Sequence, residues 1–194
     1  MKNTERSALT RARLLAVSRN LFALHGYAAT STDSILEAAG VRRGAMYHHY
    51  ADKTALFEAV CIGLNEESVA AIEKATQKLT DPLEALIEGS IAWVQSTTRP
   101  DAHRILLLDA PTVLGWERWN AIDQRHGYLL LREGLNQALA AKVIHFEASL
   151  ELLATMVNGA LNALALRIAS QSPGPRRPQW HSAIRALYAS LIRR

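Results

Sequence analysis

The chain has 194 residues, of which 49% are hydrophobic, and a formal net charge of +4 at pH 7. The apolar content is sufficient for a packed core, and the single cysteine, Cys61, excludes a disulfide scaffold within the chain and fits a reducing cytoplasm. We find no signal peptide and no apolar run approaching the roughly 20 residues that cross a bilayer, so we expect a soluble cytoplasmic protein that does not bind membranes.

A first helix is predicted from about Ser7 to His25, ending at Gly26. Its apolar residues recur at helical spacing and form an inward face of Leu14, Val17, Leu21 and Phe22. The start of the chain, MKNTERSALTRAR, we interpret as a flexible tail, and the alternative is an arm that reaches into a nucleic-acid groove. Its basic residues are Lys2, Arg6, Arg11 and Arg13.

Residues 26–53 predict two short helices joined by a glycine turn. Ser31 is placed to cap the first, and Gly40 to end it in the left-handed conformation that glycine adopts without strain. The second is predicted over about Arg42–Tyr50, and Asp52 is placed to cap the helix that follows. This arrangement is typical of a helix-turn-helix DNA-binding motif.

The second short helix carries side chains suited to DNA. Arg42 and Arg43 have the planar fork that pairs with guanine O6 and N7 or with phosphate, and Gly44 leaves room for close approach. Neighbouring donors can hold phosphate oxygens, which fixes register without reading sequence. The candidate DNA-binding residues are Thr32, Arg42, Arg43, Gly44, Ala45, Tyr47, His48, His49 and Lys53. For any one of them, a solvated basic surface remains the alternative.

The stretch from about Thr10 to Val60 resembles the N-terminal domain of the TetR family of transcriptional regulators. The matching segments are LLAVSRNLFALHGY (Leu14–Tyr27), AAGV (Ala38–Val41), GAMYHHY (Gly44–Tyr50) and DK-x-x-LF (Asp52–Phe57), together with Thr30 and Ile35. One departure is Arg42, which stands where the family often has a small serine-like cap. We therefore expect a weaker helix cap and a shifted operator preference.

The resemblance implies a three-helix DNA-binding head, a larger helical body that binds ligand and dimerises, and repression relieved by a small molecule. By position, the residues that match the family's phosphate contacts are Tyr47, His49 and Lys53. Those that match its groove-facing residues are Arg42, Arg43, Ala45 and His48.

Charge distribution gives independent support for a phosphate-binding head. Residues 1–53 contain eight Lys and Arg and four Asp and Glu, a net charge of +4. Residues 54–194 contain 14 residues of each sign, so the whole positive excess falls on the first 53 residues. A localised basic region is typical of a surface that binds nucleic acid.

Beyond the head, the pattern predicts helices and no strands. A long connecting helix is predicted from Lys53 to about Leu79, and the next helix is capped by Asp81 and runs to Thr97. A short helix, HRILLLDA, is capped by Asp101 and ended by Pro111, and a long helix follows over about Val113–Ala141, with bends at Gly115, Gly127 and Gly134. The last two helices cover about Glu147–Ala169 and Gln179–Ile192, and a loop at Ser172–Pro178 separates them.

The expected fold is therefore all-α, with two domains. A three-helix helix-turn-helix DNA-binding domain occupies residues 1–53, with the family resemblance extending to about residue 60. A helical effector-binding and dimerisation domain occupies residues 54–194.

The last two helices carry the signal for a partner. The helix over Glu147–Ala169 has two adjoining apolar stripes, so it must be covered on two sides. A second copy of the same helix pair is the simplest cover, because a twofold dimer also supplies two reading helices for a palindromic site. Burial within a single chain is the alternative. The predicted interface residues are Leu153, Val157, Leu161, Leu164, Trp180, Ile184, Leu187 and Leu191.

An effector pocket is expected among the middle helices, where three of the four tryptophans fall. Ligand sites are mostly apolar with a few polar groups, which favours an apolar or aromatic effector. For each tryptophan alone, a place in the core remains the alternative. The predicted pocket residues are Trp93, His103, Leu107, Trp116, Trp119 and Met156.

We find no nucleophile elbow, P-loop, dinucleotide fingerprint or metal-ligand spacing, and predict no enzyme activity, cofactor or metal. The adjacent His48 and His49 point about 100° apart on a helix and cannot share a metal. The predicted function is a sequence-specific DNA-binding regulator, a repressor released from its operator by a small molecule. The alternatives are activation, effector-assisted repression, or a helical small-molecule-binding or interaction protein without specific DNA recognition.

Overall fold

The computed structural model describes residues 3–170 and 177–192, and these residues form helices without strands. The helices in chain order are α1 (Asn3–His25), α2 (Thr32–Ala39), α3 (Arg43–His49), α4 (Lys53–Thr76), α5 (Pro82–Thr97), α6 (Pro100–His103), a π-helix (Arg104–Asp109), α7 (Ala110–Gln124), α8 (Gly127–Ala140), α9 (Leu150–Ser170) and α10 (Arg177–Ala189). The all-α prediction is confirmed.

The chain forms two compact units, each assembled from separate segments. The first comprises the chain up to Leu64 together with Pro100–Trp119, and the second comprises Asn65–Arg99 and the chain from Asn120. Helices α4 and α7 each contribute to both units. The functional division into a DNA-binding domain over residues 1–53 and an effector-binding domain over residues 54–194 stays a prediction.

The core of the first unit is built around aromatic rings. Phe22 on α1 and Phe57 on α4 have ring centroids 5.1 Å apart in an edge-to-face arrangement, and Tyr27 lies 5.0 Å from Phe57. Both phenylalanines are fully buried. Such pairs add stability beyond the area that they bury. They join α1 to α4 and leave α2 and α3 packed against α1.

The caps predicted at Ser31, Gly40 and Asp52 are confirmed, whereas the cap predicted at Asp101 is wrong because Asp101 lies inside α6. The Ser31 hydroxyl accepts a hydrogen bond from the Ser34 backbone N–H (3.0 Å). Gly40 ends α2 in the left-handed region, with φ 60° and ψ 38°. The Asp52 carboxylate accepts from the Ala55 N–H (2.7 Å). These caps can be predicted from the sequence because each one bonds to a residue at most three positions away.

The first helix begins earlier than predicted. Helix α1 starts at Asn3, so Arg6, Arg11 and Arg13 lie on a regular helix, and the prediction of a flexible tail is wrong for these residues. Lys2 lies outside the described residues. Most of the predicted loop at 172–178 also lies outside them.

The prediction that Pro111 ends a helix is wrong. The helix that begins at Pro100 continues through the π-helix into α7, which Pro111 enters in its first turn. Proline has no N–H to donate, and Pro111 directly follows the π-helix, where the N–H of Ala110 donates to the carbonyl of Ile105. Four residues later, Gly115 adopts φ 76° and ψ 161° and bends α7 as predicted.

The long helix predicted over Val113–Ala141 is divided in two. Helix α7 ends at Gln124 and α8 begins at Gly127, with His126 in a non-helical conformation between them (φ −127°, ψ −99°). The side chain of His126 is bonded back to the Ile122 carbonyl (2.7 Å). The apolar pattern continues across this break, so periodicity alone did not reveal it.

Helices α5, α8, α9 and α10 form the second unit, with α5 in contact with the other three. The hydroxyls of Ser90 on α5 and Tyr188 on α10 are hydrogen bonded at 2.7 Å. Burial raises the pKa of Tyr188 to about 12, and the hydrogen bond with Ser90 acts in the opposite direction.

Helix α9 is more apolar than expected. It spans 21 residues with a mean hydropathy of 1.4 in its most apolar stretch, so by length and composition alone it could cross a membrane. The expectation that no apolar run approaches this length is therefore wrong. Part of its apolar surface is explained by packing, because one side of α9 lies against α5 and α8.

Candidate nucleic-acid interface and effector cavity

Helix α3 is fixed by its buried side and presents the opposite side to solvent. Met46 is fully buried and Tyr50 is 6% exposed. The remaining side chains of α3 lie outward: Arg43, Tyr47 and His48 are exposed, Gly44 has open space around it, and Ala45 and His49 are partly exposed. The structure therefore brings the predicted α3 residues together on one surface, while their contacts with DNA stay predictions.

Arg42 immediately precedes α3 and is exposed. Its backbone is extended (φ −73°, ψ 148°), and its side chain makes no capping hydrogen bond. A guanidinium has donors only and cannot accept from the helix N–H groups. The cap of α3 is weak for this reason, and the guanidinium remains directed to solvent.

Arg43 is paired with an acidic residue of the preceding helix. One guanidinium nitrogen donates to the Asp33 carboxylate, and both side chains are well exposed. This pair was not predicted from the sequence. No local spacing rule indicates a contact between residues ten positions apart across a turn.

Lys53 is engaged in the loop that joins α1 to α2. Its Nζ atom donates to the carbonyls of Tyr27 (2.9 Å) and Thr30 (2.8 Å) and lies 4.0 Å from the centre of the Tyr27 ring. Partial burial lowers the pKa of Lys53. Lys53 thus has a structural role in the first unit beside the phosphate contact predicted for it. Thr32, at the start of α2, is partly exposed.

The segment Pro100–Trp119 is bound to α1 by polar contacts. Arg19 donates twice to Asp101, at 3.0 and 2.5 Å. The Tyr27 N–H donates to Asp109 (2.8 Å), and Arg104 donates to the His25 carbonyl (3.1 Å). These contacts join residues about 80 positions apart along the chain, and they were not predicted from the sequence.

A cavity of about 200 Å³ lies within the second unit. The residues that line it come mainly from α4, α5, α8 and α9: Ile72, Thr76, Pro82, Ala85, Leu86, Gly89, Ser90, Trp93, Gly127, Leu130, Leu131, Glu133, Gly134, Gln137, Asn158 and Leu161. Most of these side chains are apolar, as expected of a small-molecule site.

Only Trp93 of the six predicted pocket residues lines this cavity. Met156 is 62% exposed on α9. The remaining four predicted residues belong to the first unit: His103, Leu107, Trp116 and Trp119. There the Trp119 indole donates to the Leu106 carbonyl (2.9 Å), and Trp116 is 67% exposed. The structure therefore does not bring the six together.

Polar atoms lie beside Gly127, one of the residues that line the cavity. A Cβ placed on Gly127 would lie 3.0 Å from the Trp93 Nε1 atom and 3.9 Å from the Asp123 Oδ1 atom. The other carboxylate oxygen of Asp123 accepts from the Asn158 amide (3.1 Å). Burial raises the pKa of Asp123, while the Asn158 hydrogen bond and the charge of His126 lower it.

The predicted dimer residues require a correction. Five of the eight are buried within the single chain, since they form the packed side of α9 and α10: Leu153, Val157, Leu161, Trp180 and Ile184. Leu164, Leu187 and Leu191 are partly exposed. The second apolar stripe of α9 is the exposed one: Leu152, Met156, Gly159, Ala160, Ala163 and Leu166. The sequence showed two stripes and gave no indication of which one faces the core.

A short α2, a glycine turn, and an α3 anchored by Met46 with its basic side outward define a helix-turn-helix DNA-binding protein with a helical body. Residues 14–60 match the family model of the bacterial regulatory proteins of the tetR family. Residues 83–191 match the tetracyclin repressor-like C-terminal domain. The chain belongs to the TetR family of transcriptional regulators, whose members bind operator DNA and form dimers.

Relatives with assigned roles agree with this membership. The transcriptional regulator AcrR of Shigella flexneri is 35% identical over 108 residues, which cover 55% of this chain and 50% of AcrR, so the match spans about half the length of that relative. The transcriptional repressor Rv1474c of Mycobacterium tuberculosis is 27% identical over 189 residues, covering 96% of this chain and 95% of the repressor.

A solved structure extends the similarity over the whole chain. The crystal structure of a TetR-family transcriptional regulator from Pectobacterium atrosepticum has a TM-score of 0.80 and 30% sequence identity. It covers 100% of this chain and 99% of that one. The chain is therefore similar to this regulator in both the DNA-binding head and the helical body.

Proposed function

We propose that this chain is a cytoplasmic repressor that binds a palindromic operator as a homodimer and leaves it when a small molecule binds the helical body. The observation that carries the proposal is the surface of α3. Met46 and Tyr50 anchor the helix from below, and exposed Arg43, Tyr47 and His48 point away from the unit. A helix held in this way can enter the major groove without disturbing the core.

The dimer is argued from α9 and α10. The exposed stripe of α9 contains Leu152, which is 56% exposed, and Met156, between small residues. Several exposed residues of α10 are also small: Ser182, Ala183, Ala186 and Ala189. Small residues allow helices to approach closely, and long apolar side chains exposed on one helix favour cover by a partner. A second copy of α9 and α10 supplies that cover in a four-helix interface.

The regulatory step is a shift between two populations of the dimer. Helix α4 begins directly after the helix-turn-helix and ends at Thr76, which lines the cavity. An effector that binds better to one position of α4 shifts the dimer toward that position and changes the separation of the two α3 helices. DNA affinity then falls because both half-sites are no longer reached together.

Selection of bound sequences from a random duplex library, at near-physiological salt, tests the proposal. We expect an enriched palindrome whose half-sites are separated by about one helical turn or a multiple of it. Affinity for that site should fall steeply as the salt concentration rises. Recovery of no preferred sequence would contradict specific DNA recognition and favour a helical small-molecule-binding protein instead.

The direction of regulation needs its own measurement. A reporter gene placed behind the selected operator should be expressed weakly when the protein is present and strongly when Arg43 is replaced by alanine. Higher expression in the presence of the unaltered protein would contradict repression and indicate activation.

A further inference from the structure

The cavity in the second unit has room for a small ring. Its volume is about 200 Å³, and an apolar protein cavity of about 150 Å³ accommodates benzene. One six-membered ring with one or two substituents therefore fits within it.

One hydrogen-bond donor and one acceptor lie beside Gly127, which lines the cavity. The Trp93 indole N–H has no hydrogen-bond partner among the described residues, although Trp93 is only 7% exposed. The Asp123 Oδ1 atom also has none there, because the contact with Asn158 uses Oδ2. A Cβ at Gly127 would lie 3.0 Å from the Trp93 Nε1 atom and 3.9 Å from the Asp123 Oδ1 atom, so both atoms are close to this part of the lining. A ligand hydroxyl placed there gains affinity from direct hydrogen bonds to both atoms.

The charge of the lining argues against an anionic ligand. Within the part of the chain that the structure describes, no Lys, Arg or His lines the cavity, the exposed Glu133 does, and the Asp123 carboxylate lies beside the lining residue Gly127. A carboxylate or phosphate would lose its hydration without a compensating cation. The lining therefore favours a neutral ligand.

We propose that this cavity binds a neutral monocyclic phenol, and that its hydroxyl accepts a hydrogen bond from the Trp93 indole and donates one to the Asp123 carboxylate. The ring lies against the apolar side chains of Leu86, Leu130 and Leu161. The proposal rests on the proposed function, because it assigns the effector class of the same regulator.

Isothermal titration calorimetry with three probes of similar shape tests the ligand class: phenol, toluene and benzoate. We expect phenol to bind about tenfold more tightly than toluene, because it makes two hydrogen bonds that toluene lacks. Benzoate should not bind measurably. Equal affinities for phenol and toluene, or tighter binding of benzoate, would overturn the proposal.

Two substitutions separate the polar contact from the apolar cavity. Trp93→Phe keeps an aromatic ring and removes the N–H, so phenol affinity should fall about three- to tenfold while toluene affinity changes little. Trp116→Phe is the matched control, because Trp116 is exposed and belongs to the first unit. An unchanged phenol affinity in Trp93→Phe contradicts the assigned contact.

Gly127→Ala tests the space beside the Trp93 Nε1 and Asp123 Oδ1 atoms. The added methyl would lie 3.0 Å from Trp93 Nε1, so it should exclude the hydroxyl and weaken phenol binding about tenfold or more. Gly63→Ala is the control, because a Cβ at Gly63 meets nothing within 4 Å. Thermal unfolding monitored by circular dichroism verifies that each variant is folded before its titration.

Indole resonances of the unaltered ¹⁵N-labelled protein provide a readout that needs no variant to fold. Phenol should shift one of the four tryptophan indole signals strongly, the one assigned to Trp93, and toluene should not reproduce that shift. A phenol-induced shift at another indole alone would overturn the proposal.

Operator binding is measured separately. Intact DNA binding without phenol binding refutes the effector class, whereas phenol binding without DNA binding refutes the repressor function.

Discussion

Arg43 shows how a single contact can limit DNA binding. In the free protein one of its nitrogens is bonded to Asp33. To contact a base or phosphate with that nitrogen, Arg43 must first break the pair. An exposed ion pair is worth at most about 1 kcal/mol, so the effect on affinity is small and measurable.

Asp33→Asn should raise operator affinity about two- to fivefold, because Arg43 no longer has to leave a carboxylate. Fluorescence anisotropy with a labelled operator, repeated at several salt concentrations, measures this change. Glu37→Gln is the matched control, since Glu37 is an exposed acidic residue of the same helix. If both variants raise affinity equally, the gain comes from net charge and not from release of Arg43.

Lys53 is expected to contribute to the stability of the first unit. Lys53→Met should lower the free energy of unfolding by about 1–3 kcal/mol, because the carbonyls of Tyr27 and Thr30 lose their donor. Urea denaturation followed by circular dichroism measures the loss. Lys74→Met, at an exposed position of the same helix, should change stability little. Equal stability of the two variants would assign Lys53 to DNA contact alone.

Among the helices, α10 is held to α5 by a buried hydroxyl pair. Tyr188 has an ordinary pKa of 10.0, which burial raises to about 12. The folded state therefore resists ionisation that the unfolded chain undergoes. Below pH 10 Tyr188 is neutral in both states and the stabilisation is fully present. As the pH rises from about 10 to about 12, the unfolded chain ionises first, so the free energy of unfolding falls.

Tyr188→Phe should remove this part of the pH dependence. At neutral pH the variant should be about 1 kcal/mol less stable, because the Ser90 hydroxyl loses its partner. Between pH 10 and 12 the difference should shrink, since phenylalanine does not ionise. The free energies of unfolding of both proteins, measured across this pH range, test this prediction. A difference between the two free energies that does not change with pH would contradict the raised pKa of Tyr188.

The limits of sequence-based prediction also appear among the helices. Caps at Ser31, Asp52 and Asp81 were predictable because each bonds to backbone within three residues. The break at His126 was not, because the apolar pattern continues across it, and neither was the continuation through Pro111, because proline usually ends a helix. For the site, helical spacing predicted the exposed residues of α3. The cavity depends on which side of each helix meets another, and periodicity does not specify this.

For the whole molecule, the central expectation is a dimer formed through the exposed stripe of α9. Met156→Glu should give a folded monomer, because a charge buried in an apolar interface is costly and the residue is 62% exposed in the single chain. Sedimentation velocity measures the change in mass. Binding to the palindromic operator should weaken strongly, because two heads no longer bind together.

Asn136→Glu is the control for this prediction, since Asn136 is an exposed residue of α8 in the same unit. It should leave the molecule dimeric. A Met156→Glu variant that remains a dimer would show that copies associate through another surface.

The discontinuous first unit has a consequence for how the protein is made. Arg19 and Tyr27 are bonded to Asp101 and Asp109, which belong to the segment Pro100–Trp119. During synthesis, the DNA-reading helices are completed long before these partners have left the ribosome. A nascent chain or a fragment that ends near residue 64 lacks part of this unit's structure. Operator binding is therefore expected only from chains long enough to include residue 119, so unfinished fragments without a regulatory body should not occupy the operator.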